Sequence, residues 1–150
     1  MPNALRLRFS PDTDGTGELL AEIHSNGYAG SGSAWFGEAE LVELAKKLAV
    51  AFPLPADSRL GIRGGFWSKS GGGIEQEHVG LTFYPVGSLG RVGCRVVLST
   101  PVHEHDRPDG QSSLAVELLT TYERLGAFAR SLELLVTGGV DEAALEAEGS

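Results

Sequence analysis

Leu5, Leu7 and Phe9 alternate with Arg6, Arg8 and Ser10, the period-2 signature of a strand with one buried face. Turn residues follow in Ser10-Pro11-Asp12-Thr13-Asp14-Gly15. Leu19, Ala21 and Ile23 then share one face, with Glu18, Glu22 and His24 on the other. The two segments predict a hairpin in which Arg6 and Arg8 lie across from Glu18 and Glu22. Cross-strand pairs of opposite charge contribute about 0.2–1 kcal/mol each, enough to favour that register. A third strand is predicted over 28–36, where Gly30 and Gly32 permit a close backbone approach or a bulge.

The period changes after Phe36. Leu41, Leu44, Ala45, Leu48, Ala49 and Phe52 recur at helical spacing, which predicts a helix at about 38–51 that Pro53 and Pro55 stop. Glu38 and Glu40 in its first turn and Lys46 and Lys47 in its latter half suit the helix dipole. From residue 59 the period returns to two. Leu60, Ile62 and Phe66 form one apolar set, and Val79, Leu81 and Phe83 another. Val92, Cys94, Val96 and Leu98 form a third, and Leu114, Val116 and Leu118 a fourth. Apart from the last, Pro101 to Gln111, the connections are too short for helical crossovers, so an antiparallel meander is the economical expectation. Leu125, Phe128, Ala129, Leu132, Leu135 and Val136 mark a second helix, with Thr120 and Glu123 as its capping box and Gly138-Gly139 at its end.

The expected fold is α+β in one domain over 1–150: a single antiparallel, meander-rich sheet of about seven strands with two amphipathic helices on one face. An acidic tail covers about 140–150, where Asp141, Glu142, Glu146 and Glu148 have no base among them; it is expected to form a short helix or to fray. The chain has 150 residues, 20 acids against 12 bases, and a net charge of −8. That balance speaks against duplex nucleic acid, which is held mainly by Lys and Arg on phosphate, and suits a basic partner. The first residues have no apolar signal core and no run reaches the ~20 apolar residues of a membrane span, so a cytoplasmic location and no membrane partner are expected. Cys94 is the lone cysteine, which excludes an internal disulfide and a multi-cysteine zinc site.

Complete catalytic motifs are not found. Gly30-Ser31-Gly32-Ser33-Ala34-Trp35 begins like a dinucleotide loop, but Trp35 fills the third glycine position. Val86-Gly87-Ser88-Leu89-Gly90 lacks the first glycine of a nucleophile elbow. Gly71-Gly72-Gly73 lacks the lysine of a phosphate loop. His103 and His105, with Asp106, have the spacing of a chelating pair in an extended segment, but a catalytic zinc needs a third protein ligand. No cofactor is expected. Arg59, Arg63, His78, Tyr84, Arg91 and Arg95 fall on the non-core phase of three successive strands, with Thr82 among them. Arg and Tyr are enriched where proteins bind proteins, so this face is a candidate recognition surface. Trp67, beside the glycine loop 68–73, is a second candidate anchor.

The order of features also resembles a known group. A hairpin leads to Gly27-Tyr28-Ala29-Gly30 and a strand ending Trp35-Phe36; a helix of Leu41, Leu44 and Leu48 follows, then a meander containing His78-Val79-Gly80, then a strand running into a capped helix. This arrangement is similar to small bacterial proteins that include immunity proteins of the wall-associated toxin type and uncharacterised relatives. Members show Gly-His-aliphatic in the central strand; here Glu77 precedes His78. The resemblance implies a non-enzymatic protein that binds another protein, such as a toxin domain, and it implies no catalytic residues. The alternatives from other classes are a small metal-dependent hydrolase using His103, His105 and Asp106, and a structural or oligomerising domain.

Overall fold

The computed structural model describes residues 2–149. Among these described residues, eight strands and two α-helices follow one another in the order β1 (Ala4–Pro11), β2 (Thr16–Ser25), β3 (Tyr28–Gly37), α1 (Glu38–Ala49), β4 (Leu60–Trp67), β5 (Ile74–Val86), β6 (Arg91–Ser99), β7 (Ser113–Thr121), α2 (Tyr122–Thr137) and β8 (Ala143–Glu146). The class is α+β and the strands are antiparallel, but they form two sheets instead of one. The first has the order β3-β2-β1-β8 and the second β4-β5-β6-β7. The reason for the split lies between Ala49 and Leu60. Ten residues containing Pro53 and Pro55 separate α1 from β4, and β4 opens a new meander without pairing with β3. Each meander is followed by a helix; in the first sheet the fourth strand comes from the end of the chain.

The acidic tail is therefore not a tail. Ala143, Leu145 and Ala147 are buried, and Ala143–Glu146 pairs with Leu7–Ala4 of β1. Period-2 burial inside an acidic stretch is what makes this segment a strand. The end of the chain also joins the two sheets: Glu148 N–H donates to Leu119 O at 2.8 Å, and the Thr120 hydroxyl donates to Glu146 O at 2.7 Å. Glu142 takes Arg6 at 3.0 Å and Arg8 at 3.6 Å. Arg6 does face Glu22 across β1–β2, but Arg8 faces Leu20, so the expected double charge pair within the hairpin is replaced by a shared ion pair with Glu142.

The inner faces of both sheets and the buried stripes of both helices make one core, with Leu5, Leu7, Leu19, Ile23, Leu41, Leu48, Leu81, Phe83, Leu98, Leu118, Leu125 and Phe128 among its fully buried members. The helices pack on each other, α2 over β8 and β1 and α1 beside β3 and β4. They thus serve both sheets and do not lie on one face of a single sheet. Ala49 is exposed and Phe52 lies outside α1, its ring edge-on to Tyr122 at 5.1 Å, so the helix stripe ends at Leu48. The N-cap of α2 is Thr121, whose hydroxyl accepts Arg124 N–H at 3.3 Å, one residue later than the expected box; Thr120 is spent on Glu146. Gly138 closes α2 in the left-handed conformation as expected, with Gly139 N–H returning to Leu134 O at 2.7 Å. Gly32 serves close approach: a methyl group there would sit 2.8 Å from the His78 carbonyl oxygen, where β3 lies against the second sheet. Among the described residues no helix is long and apolar enough to cross a membrane.

Candidate functional site

The register of the second sheet brings most of the predicted arginine face together. Arg63 faces Gly80, Thr82 faces Arg95, Arg95 faces Glu117, and Arg91 faces Thr121, so these side chains share the outer phase of β4 to β7. Tyr84 lies over Gly93 and reaches two strands away, where its hydroxyl donates to Glu117 Oε2 at 2.5 Å. Burial first, and the bond to Glu117 second, push the phenol well above its ordinary value. The Arg59 guanidinium lies over the ring at 4.6 Å, a cation–π contact. Arg63 meets Glu77 at 3.8 Å. Arg91 is held by Glu148, and its Nε is buried without a hydrogen-bond partner among the described residues. Much of the outer face is thus paired internally; Arg59, Arg63 and Arg95 are all exposed, and Arg95 makes no ion pair among the described residues.

His78 departs from the expected position. It is 3% exposed, buried at a β-bulge where Gly64 faces Val79 but Gly65 faces Glu77. The extra residue on β5 breaks the alternation that would have put the imidazole on the solvent side. Its ring stands edge-on to Phe66 at 4.6 Å, and Nε2 lies 3.0 Å from Gln76 Oε1. The Gln76 amide is fixed by Val102, donating to Val102 O at 2.7 Å and accepting Val102 N–H at 3.0 Å. Gln76 Oε1 therefore accepts, and His78 carries its proton on Nε2. Burial, and secondarily the charge of His103, lowers the His78 pKa. His78 braces the loop after β6 to the bulge, and does not form part of an exposed face.

His103, His105 and Asp106 lie in the exposed loop between β6 and β7. Asp106 uses its carboxylate on His103 N–H at 3.0 Å, closing a local turn, and among the described residues no group of three or more His, Cys, Asp or Glu side chains is arranged to hold a metal ion. Cys94 is fully buried, and burial pushes its thiol far above the ordinary value, which suits a small core side chain and not a nucleophile.

Trp67 marks a different concavity. It is 56% exposed, and so is Trp35 on β3. The two tryptophans, the only ones in the chain, come from the adjacent edge strands β3 and β4 of different sheets. Together with Phe36, Gly37, Thr16, Asp12, Asp14, Glu40 and Arg63 they line a cleft of about 400 Å³. β3 and β4 can lie this close because Gly64 has no side chain where Phe36 and Ala34 pack. Asp14 is set by its own turn: its Oδ1 accepts the Thr16 N–H at 3.1 Å and hydroxyl at 2.6 Å, and these bonds hold its carboxyl below the ordinary value. Asp12 accepts Thr13 N–H at 2.7 Å. Trp67 also lines a wider groove of about 920 Å³, together with the Ser68–Ser70 loop, Gln76 and His103.

Trp35, Asp12, Asp14 and Glu40 were not among the residues that sequence reasoning singled out. For Trp35 a signal existed, since it is out of phase with the buried Ala34 and Phe36 and so had to face outward. Nothing in the sequence joined it to Trp67, because their meeting depends on how two sheets pack. Comparison with protein-family models, with curated proteins and with solved structures found no match.

Proposed function

We propose that this chain is a protein-binding domain that acts by contact and not by catalysis, with the β3–β4 cleft as its anchor point. The observation that carries this reading is the pair Trp35 and Trp67, each 56% exposed, set on rigid strands around one concavity. Tryptophan anchors seated in pockets dominate the energetics of protein interfaces, and solvating two such rings without a partner is unfavourable. Arg63 at the rim and Arg95 on the adjoining outer face extend the same surface. The acidic balance of the chain fits a basic partner. An immunity-like inhibitor that blocks a toxin domain by covering its active surface is one protein of this kind, and the likeness of feature order noted above favours it.

The test is affinity capture from lysate of the source organism, read by mass spectrometry, with three forms of the chain. One stoichiometric protein partner should be retained by the wild type, weakened by Arg95→Glu, and lost with the double variant Trp35→Ala/Trp67→Ala. A partner retained equally by all three forms, or none retained by the wild type, would contradict the proposal.

A further inference from the structure

We infer that the β3–β4 cleft receives the guanidinium or ammonium group of a basic side chain on the partner, an inference that rests on the protein-binding reading and specifies its chemistry. Two features of the lining converge on a cation. The first is aromatic: Trp35 and Trp67 both line the cleft, and tryptophan is the best of the aromatic side chains for holding a cation. Neither ring is engaged by an internal cation, since the cation–π contact within the described residues is that of Arg59 on Tyr84.

The second is charge. Asp12, Asp14 and Glu40 outnumber Arg63 in the lining, leaving two negative charges in excess. The amino end of α1 also borders the cleft at Gly37 and opposes this with about half a positive charge, which the excess outweighs. Arg63 is turned partly to Glu77, so its charge is shared outside the cleft. Asp14 is held ready by Thr16, so a carboxylate is fixed in place before any ligand arrives. Aromatic rings and carboxylates lining one cleft select a cation over a neutral isostere, because only the cation gains from both.

The two tryptophans make the site readable, because the intrinsic indole fluorescence of the chain comes from them alone. The probe is the peptide acetyl-Gly-Arg-Gly-amide, with the citrulline and glutamate peptides as neutral and anionic counterparts. The arginine peptide should change the fluorescence saturably in the millimolar range and more weakly as salt is raised. The citrulline peptide should bind about two- to five-fold more weakly, the scale of one exposed cation–π contact. Glu40→Gln and Asp14→Asn, both exposed and conservative, should each weaken the arginine peptide about two- to five-fold, while thermal unfolding shows the fold retained. Absence of a saturable change with the arginine peptide overturns the inference, as does equal binding of the citrulline or glutamate peptide. If capture yields a partner and the arginine peptide does not bind, the cation site falls and the protein-binding reading stands. If the peptide binds and capture yields nothing, the site stands and the protein-binding reading falls.

Discussion

Between Gly64 and Gly65 the ladder to β5 loses a step, and the consequences are carried by single residues. Gly65 has φ +157°, and a Cβ there would collide with the Gln76 carbonyl oxygen. Backbone, unlike the end of a flexible side chain, cannot move aside without breaking the bulge. Gly65→Ala should therefore cost about 2–3 kcal/mol, measured by urea unfolding, as overpacking against a fixed wall does. His78 sits in the same bulge, and its pKa lies below the ordinary 6.5 because burial disfavours the charged ring. The unfolded chain then takes up the proton first as pH falls. The stability His78 contributes is complete above about 6.5 and declines as pH drops below it. The urea midpoint should fall between pH 7.5 and pH 5.5, and the fall should be shallower in His78→Gln. A midpoint that rises over that interval would show that the ring is stabilised in its charged form.

At the scale of elements, β8 is the clearest test of how the chain is closed. Leu145 is fully buried in a strand of only four residues, paired with β1 and stitched to β7 through Glu148 and Thr120. Leu145→Ala should cost about 2–5 kcal/mol, far more than an exposed leucine in a tail would. Equilibrium unfolding would show it, and a change under about 0.5 kcal/mol would mean the segment does not dock. Alternation made most other strands legible: β1, β2, β6 and β7 follow their apolar phases closely, β5 keeps the expected Val79, Leu81 and Phe83 phase only beyond its bulge, and α1 and α2 follow their helical stripes. In Ala143, Leu145 and Ala147 the same alternation exists, but small residues among four acids give it little weight. The charge of the segment hid its pattern. The division into two sheets was not legible, since alternation reports which face is buried and not which strand lies beside it.

At the scale of the whole molecule, the candidate site is a product of packing. Trp35 and Trp67 are thirty-two positions apart and belong to different sheets, and they meet because the inner faces of both sheets share one core. The arginine face was legible because it lies within one meander and follows its register. The cleft was not, because it lies between two meanders. The arginines that looked available in the sequence are mostly engaged by Tyr84, Glu77 and Glu148, whereas the tryptophans are not. The proposed recognition site thus lies at the junction of the sheets, with the outer face of the second sheet as its flank.

Mapping that junction directly is the decisive measurement: chemical-shift perturbation of the isotope-labelled chain on addition of the captured partner. The account predicts that the largest changes fall on the indole N–H signals of Trp35 and Trp67 and on the backbone amides of Asp14, Gly37 and Glu40, with smaller ones at Arg63 and Arg95. Changes confined to α1, α2 or the loop carrying His103 and His105, with both indole signals unmoved, would contradict it.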